Sequence, residues 1–437
     1  LEFRRVLFRS AADLKAVGFF AIELKNGGFT ATELKTGGYT ATELRIAGFT
    51  ATELKAVGFT ATELRDGGFS ATSLRGAAFT AGQLYIAGYS ASNLKTAGYS
   101  LSEMKTGGFT ASDLRGASYS ANDLRVVGFT ATELKEGGYT ASQMTSASFT
   151  LSTLKTIGYT ATELKAAGFS ASNLNNVGFT AAELKTAEFT AGDLVTGGYS
   201  LNNLYLAGFS ATELKPYYAC IQLKLVGFTA TQLKAAEYTA LELKIAGFTA
   251  AELRGASFTA AELKAVNFNA TQLKTGGYSV VDLYNAGFTP SELRVASYTV
   301  SNILSSGYTL FDLSSSGFVK SDYVASNITL SDISGAGFSV SDIYIAEYTA
   351  SDLYAANFAA ASLYGVYTVI QIRAGGYTAT QMKNAGVYDL VSLKNGGYTV
   401  AELKAAGYTA NQLRITGFTL SNLISGGFGV TDLKAAG

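Results

Sequence analysis

Histidine and tryptophan are absent from this chain of 437 residues, and cysteine (one), proline (two) and methionine (three) are nearly so. Without histidine there is no imidazole for acid–base chemistry or metal ligation, and the single Cys220 supplies neither an internal disulfide nor a thiolate cluster. Neither sign of charge is in excess, since 33 Lys and Arg balance 33 Asp and Glu. A nucleic acid or an anionic membrane surface calls for a basic surplus, so neither is expected as a partner. No apolar run reaches the length of a membrane span, because charged residues recur at short intervals. The opening segment LEFRRVLFRS (residues 1–10) lacks the apolar core and small-residue cleavage site of a secretion signal. Losing His and Trp together is what a short template copied many times would produce, rather than a set of unrelated domains.

What is present agrees. The chain holds 48 Gly, 26 Tyr and 27 Phe. One unit of ten residues recurs: small, Gly, aromatic, Thr, Ala, Thr, Glu, Leu, Lys, variable, as in GGFTATELKT at 27–36 and AGFTATELKA at 47–56. Aromatics fall at Phe29, Tyr39, Phe49, Phe59 and Phe69 and continue at this spacing to Phe209; leucines follow five residues later at Leu34, Leu44, Leu54 and Leu64. After a slip the frame resumes at Phe228. A repeat at fixed spacing over about forty copies is the mark of a stacked array. Register breaks near 215–220, 359–367 and 385–388 are read as kinks in one continuous array spanning 11–437, and residues 1–10 as a non-repeat sequencing scar. Both ends read as truncated. Between about 300 and 372 the lysines thin out to Lys320, while Asp312, Asp322, Asp332, Asp342 and Asp352 keep the acidic position.

The unit reads as a short helix and a turn. Thr30 is placed to cap a helix, with Glu33 three residues on completing a capping box, and Phe29 outside the cap paired with Leu34 inside as a hydrophobic staple. Lys35 lies in the last turn, Gly38 where a left-handed residue ends the helix, and Tyr39 where it contacts Leu34 in a Schellman motif. Pro290 follows the cap Thr289, where a helix tolerates proline; Pro216 falls inside a helical segment, where a register slip occurs. A helix this short has no stability alone, so neighbours must stack. The predicted fold is therefore all-α: a solenoid of two-turn helices, one per repeat.

The spacing of five between aromatic and leucine also allows two pentads per unit, such as TELKT followed by GGYTA at 32–41. In this the chain resembles the pentapeptide-repeat family, which implies a right-handed β-helix as the alternative fold. Against it, a tyrosine hydroxyl inside a narrow β-helix would lack a partner, and Ile22 and Leu241 sit where a small side chain is needed. The ten-residue unit itself resembles the tandem decapeptide-repeat proteins of environmental microbes, a resemblance that implies no activity.

No catalytic, cofactor-binding or metal-binding residues are expected, and the chain is not expected to be an enzyme. Repeated Glu33, Glu43, Glu53 and Glu63 read as caps. Two features remain. The column of Tyr39, Phe49, Phe59 and Phe69 is a candidate stripe for packing between chains or stacking on sugars; Asn269 and Asn327 begin N-glycosylation sequons. Low charge at zero net charge favours self-association. The function expected is a self-associating structural rod or filament, extracellular or at the cell surface. The alternative is a monomeric solenoid binding protein or glycan. The partner expected is the chain itself, with glycans second.

Overall fold

The structure is a computed structural model that describes residues 10–437. Those residues form 41 α-helices and two 3-10 helices, with no strand among the described residues. The helical expectation holds, and the β-helix has no counterpart. Nearly all of the segment 1–10 lies outside the described residues. Its last residue, Ser10, caps the first helix, Ala11–Ala16, by accepting from the backbone N–H of Asp13.

Each unit folds locally as its sequence dictates. In the helix Ala31–Thr36, Thr30 accepts from the N–H of Glu33, and the Glu33 carboxylate accepts from the Thr30 N–H at 2.8 Å. At the other end the N–H of Tyr39 bonds the Leu34 carbonyl and that of Gly38 bonds the Lys35 carbonyl, which is the Schellman pattern. It requires a left-handed residue, and Gly38 has φ +82°. Pro290 opens the helix Pro290–Val295 behind its cap Thr289. At Pro216 the helix Ala211–Leu214 stops after four residues, since proline offers no N–H to continue it.

The chain divides into two compact units, the first ending at Glu213 and the second beginning at Leu214. Within each, a helix packs chiefly against the second helix along the chain. In the first unit Ala11–Ala16 packs on Ala31–Thr36, and Ala21–Asn26 on Ala41–Ile46; in the second, Ala230–Ala235 packs on Ala250–Gly255. Two repeats thus make one rung, and alternate helices form two columns. Leu34, Leu44, Leu54 and their successors are fully excluded from solvent between the columns, with the helix-opening alanines buried beside them. Backbones approach closely within a column: a Cβ added at Gly37 would lie 2.6 Å from Ala11 Cβ, and one at Gly137 equally close to Ala111 Cβ.

One irregularity escapes the ten-residue count. At Phe311–Leu313 the spacing is regular, yet the backbone forms only a 3-10 turn. Ser314, Ser315 and Ser316 follow, and serine competes for backbone hydrogen bonds instead of extending a helix. A second 3-10 turn, Ala360–Leu363, falls at the break near 359–367; at the break near 385–388 the helix Ala379–Ala385 runs to seven residues and ends on the left-handed Gly386.

Candidate functional surface

The aromatic column is not a surface. Tyr39, Phe49, Phe59 and Phe69 are all buried, with exposures between 3 and 9%. This corrects the reading of these four as a stripe for contact between chains: the stacking of second neighbours closes over each ring from both sides. On one side most of the tyrosine hydroxyls of the column donate to the carbonyl of the aromatic one rung back. Tyr39 bonds the Phe19 carbonyl at 2.7 Å and Tyr199 the Phe179 carbonyl at 2.7 Å. Phenylalanine at the same position leaves that contact unmade, so the two residues interchange without disturbing the packing.

On the other side lies a lysine from the preceding rung. The Lys15 ammonium sits 4.5 Å from the centre of the Tyr39 ring and donates to the Gly38 carbonyl at 2.7 Å; Lys35 covers Phe59 at 4.5 Å and donates to the Val57 carbonyl at 3.0 Å. Each lysine therefore clamps the C-terminal end of a helix one rung further on, combining a cation–π contact with the favourable end of that helix dipole. Sequence reasoning assigned it to its own helix. Where lysine is replaced by tyrosine, the ring is covered by a second ring instead: Tyr344 lies 5.0 Å from Tyr367, Tyr354 5.0 Å from Tyr377 and Tyr364 5.4 Å from Tyr388. From Tyr344 to Tyr364 the lysine-poor stretch keeps its rings covered in this way.

The carboxylates are occupied as caps. The Glu63 carboxyl is held below its usual range by the backbone N–H of Thr60 and then by the Thr60 hydroxyl, and Glu53 and Glu133 likewise by Thr50 and Thr130. In the acidic stretch Asp312 and Asp332 are lowered first by the hydroxyl and then by the backbone N–H of Thr309 and Thr329. Cys220 replaces a helix-opening alanine; it is buried, and burial pushes its thiol up to about 11. Asn269 caps the helix Ala270–Thr275 and accepts from the Gln272 N–H, while Asn327 sits exposed in a left-handed turn at φ +59°. Among the described residues no three of His, Cys, Asp and Glu gather as a metal site. Nor is any helix among them long and apolar enough to cross a membrane.

The surface that remains has two elements. The last position of each six-residue helix projects outward, with Ile46 65% exposed and Ile86 81%. Shallow clefts run between rungs. One is lined by Lys105, Phe129 and Glu133, with a cation facing an anion across it. In two consecutive clefts of the second unit the corresponding positions are uncharged: Tyr344 and Gln371 line the first, with Glu347 also at its wall, and Tyr354 and Gln381 line the second beside Asn384.

No curated protein matches the chain. The family model described as a decapeptide repeat region matches residues 8–81, 88–161, 148–219, 217–267, 247–320 and 366–437, and with most of its length so covered the chain belongs to the decapeptide-repeat family.

Proposed function

We propose that the chain is a non-catalytic structural protein that self-associates into filaments at or outside the cell surface. The observation that carries this reading is how the reactive side chains are used. Carboxylates cap helices, lysines clamp the next rung and most column tyrosines bond to carbonyls, so these reactive groups are engaged in holding each helix and the stack. What faces outward repeats along the stack and carries no net charge over the whole chain, so long-range repulsion does not oppose association. Weak contacts multiplied along a repeating surface add up. Light scattering and negative-stain microscopy of the purified chain at neutral pH, over about a hundredfold range from low micromolar upward, test the reading. Particle mass is expected to rise with concentration into elongated assemblies.

A second reading, a monomeric glycan-binding solenoid, is favoured by the clefts at Tyr344/Gln371 and Tyr354/Gln381, the second of which no charged side chain lines. Half-exposed rings beside side-chain amides suit an uncharged, hydroxyl-rich ligand. A monomer at every concentration would overturn self-association and leave this second reading.

A further inference from the structure

The two-repeat rung sorts the outward-facing helix ends into two columns, and in the first unit those columns differ. In the column of helices opening at Ala21, Ala41, Ala61 and onward to Leu201, large aliphatic side chains end every second helix: Ile46, Ile86, Val126 and Leu206, with Ala166 in the remaining place. The helices between them end in Asn26, Asp66, Thr106, Ser146 and Thr186. The opposite column, from Ala16 and Thr36 to Thr196, holds no apolar residue larger than alanine at this position. Polar and apolar thus alternate strictly along one face, with a period of two rungs.

These side chains have no role in their own fold. Ile46, Ile86, Val126 and Leu206 are 65, 81, 72 and 72% exposed, so they support nothing beneath them. Thr106 and Thr186 fill the same position in neighbouring rungs of this column, so the helix does not require an aliphatic residue there.

We propose that this aliphatic row is the surface on which a second copy of the chain docks, row against row; the proposal rests on the self-association reading and names its interface. The spacing carries the choice of partner. A surface that buries all of these side chains at once must present apolar contacts at the same two-rung interval, and a second copy of this unit does so without adjustment. Charge agrees. Asp66 is the one ionised residue in the row, and Arg65 pairs with it at 2.8 Å, so the row does not repel its own copy.

Area sets the strength. Each large aliphatic side chain supplies roughly 60–120 Å² of apolar surface, so two rows of four bury roughly 500–1,000 Å². A standard stable interface needs about 1,200–2,000 Å². Pairing through the row is therefore weak and grows only with the number of contacts in register.

The test compares three full-length proteins by sedimentation velocity over the same concentration range: the natural chain, a variant carrying I46T, I86T, V126T and L206T, and a control carrying V295T, I345T and I415T. The control removes exposed aliphatics of the second unit that lie outside the row, 75, 68 and 72% exposed. Threonine already occupies the position in other repeats, so circular dichroism of all three is expected to match. The row variant is expected to need at least about tenfold higher concentration than the natural chain to associate, and the control the same concentration as the natural chain. Association of the row variant at the natural concentration would overturn the row while leaving self-association standing. Equal weakening in row variant and control would overturn it in favour of unspecific apolar contact. A natural chain that stays monomeric removes the self-association reading and the row together.

Discussion

Replacing Leu134 by alanine is expected to remove about 3–5 kcal/mol of stability, the upper part of the range for a large side chain deleted from a core. Leu134 is fully excluded from solvent, and its helix Ala131–Glu136 rests on the helix Ala111–Gly116 of the preceding rung. Backbone contact holds that spacing, with Gly137 against Ala111, so the rungs cannot close over the cavity and the lost contacts stay lost. A whole domain has about 5–15 kcal/mol to lose, so one such change weakens the stack severely at one rung. Urea unfolding followed by far-UV circular dichroism checks this, with Thr132→Ala on the exposed face of the same helix as control. The control is expected to change stability by no more than about 0.5 kcal/mol. A loss below about 1 kcal/mol for Leu134→Ala would mean that the leucines do not carry the core.

Acid is expected to unfold the chain cooperatively. Glu53, Glu63, Glu133 and Glu242 have carboxyls held below the usual 4.5 by the backbone N–H and then the hydroxyl of their capping threonines, and Asp123 and Asp312 are held below 3.8 by their caps. A depressed folded-state value means the unfolded chain binds protons first. The stabilisation is complete above the ordinary carboxylate range and is lost as pH falls through the lower folded values. Each cap is exposed and contributes little by itself, but the same loss recurs in repeat after repeat, and distant sites add.

The alkaline side has the opposite sign. Burial pushes the hydroxyls of Tyr159, Tyr199 and Tyr278 up from 10 to about 12, so their contribution is complete below pH 10 and is lost as pH rises through about 12. The melting temperature is expected to be level between about pH 5 and 10 and to fall on both sides. A melting temperature that climbs as pH drops from about 5 to 3 would contradict the capping assignment.

What could be read from the sequence was whatever is settled within ten residues. Thr30 with Glu33, Gly38 with Tyr39, and Pro290 behind Thr289 are local pairs, and the backbone follows them. The stacking partner could not be read in the same way. When every repeat resembles every other, contact with the first neighbour and contact with the second leave the same pattern. The Tyr39 bond to Phe19 and the Lys15 cover on Tyr39 span 20 and 24 residues, beyond the reach of any pattern within one repeat, and it is these contacts that bury the rings. A signal was nonetheless present: the alternation from Asn26 and Ile46 through Thr186 and Leu206 appears only when every second repeat is compared. The exchange of Lys for Tyr at Tyr344, Tyr354 and Tyr364 likewise becomes intelligible once a ring one rung away needs a cover.

The two-repeat rung underlies the core, the clamps and the aliphatic row alike, and a distance ruler within the first unit tests it most directly. Spin labels on Ile46→Cys with Ile86→Cys, and on Ile46→Cys with Val126→Cys, both with Cys220→Ser, span four and eight repeats along one column. Packed helices lie about 8–10 Å apart, so with two repeats per rung the second pair is expected to be about 16–20 Å longer than the first. Taking the difference cancels the reach of the labels. An increment of about 32–40 Å, one rung for every repeat, would contradict the account.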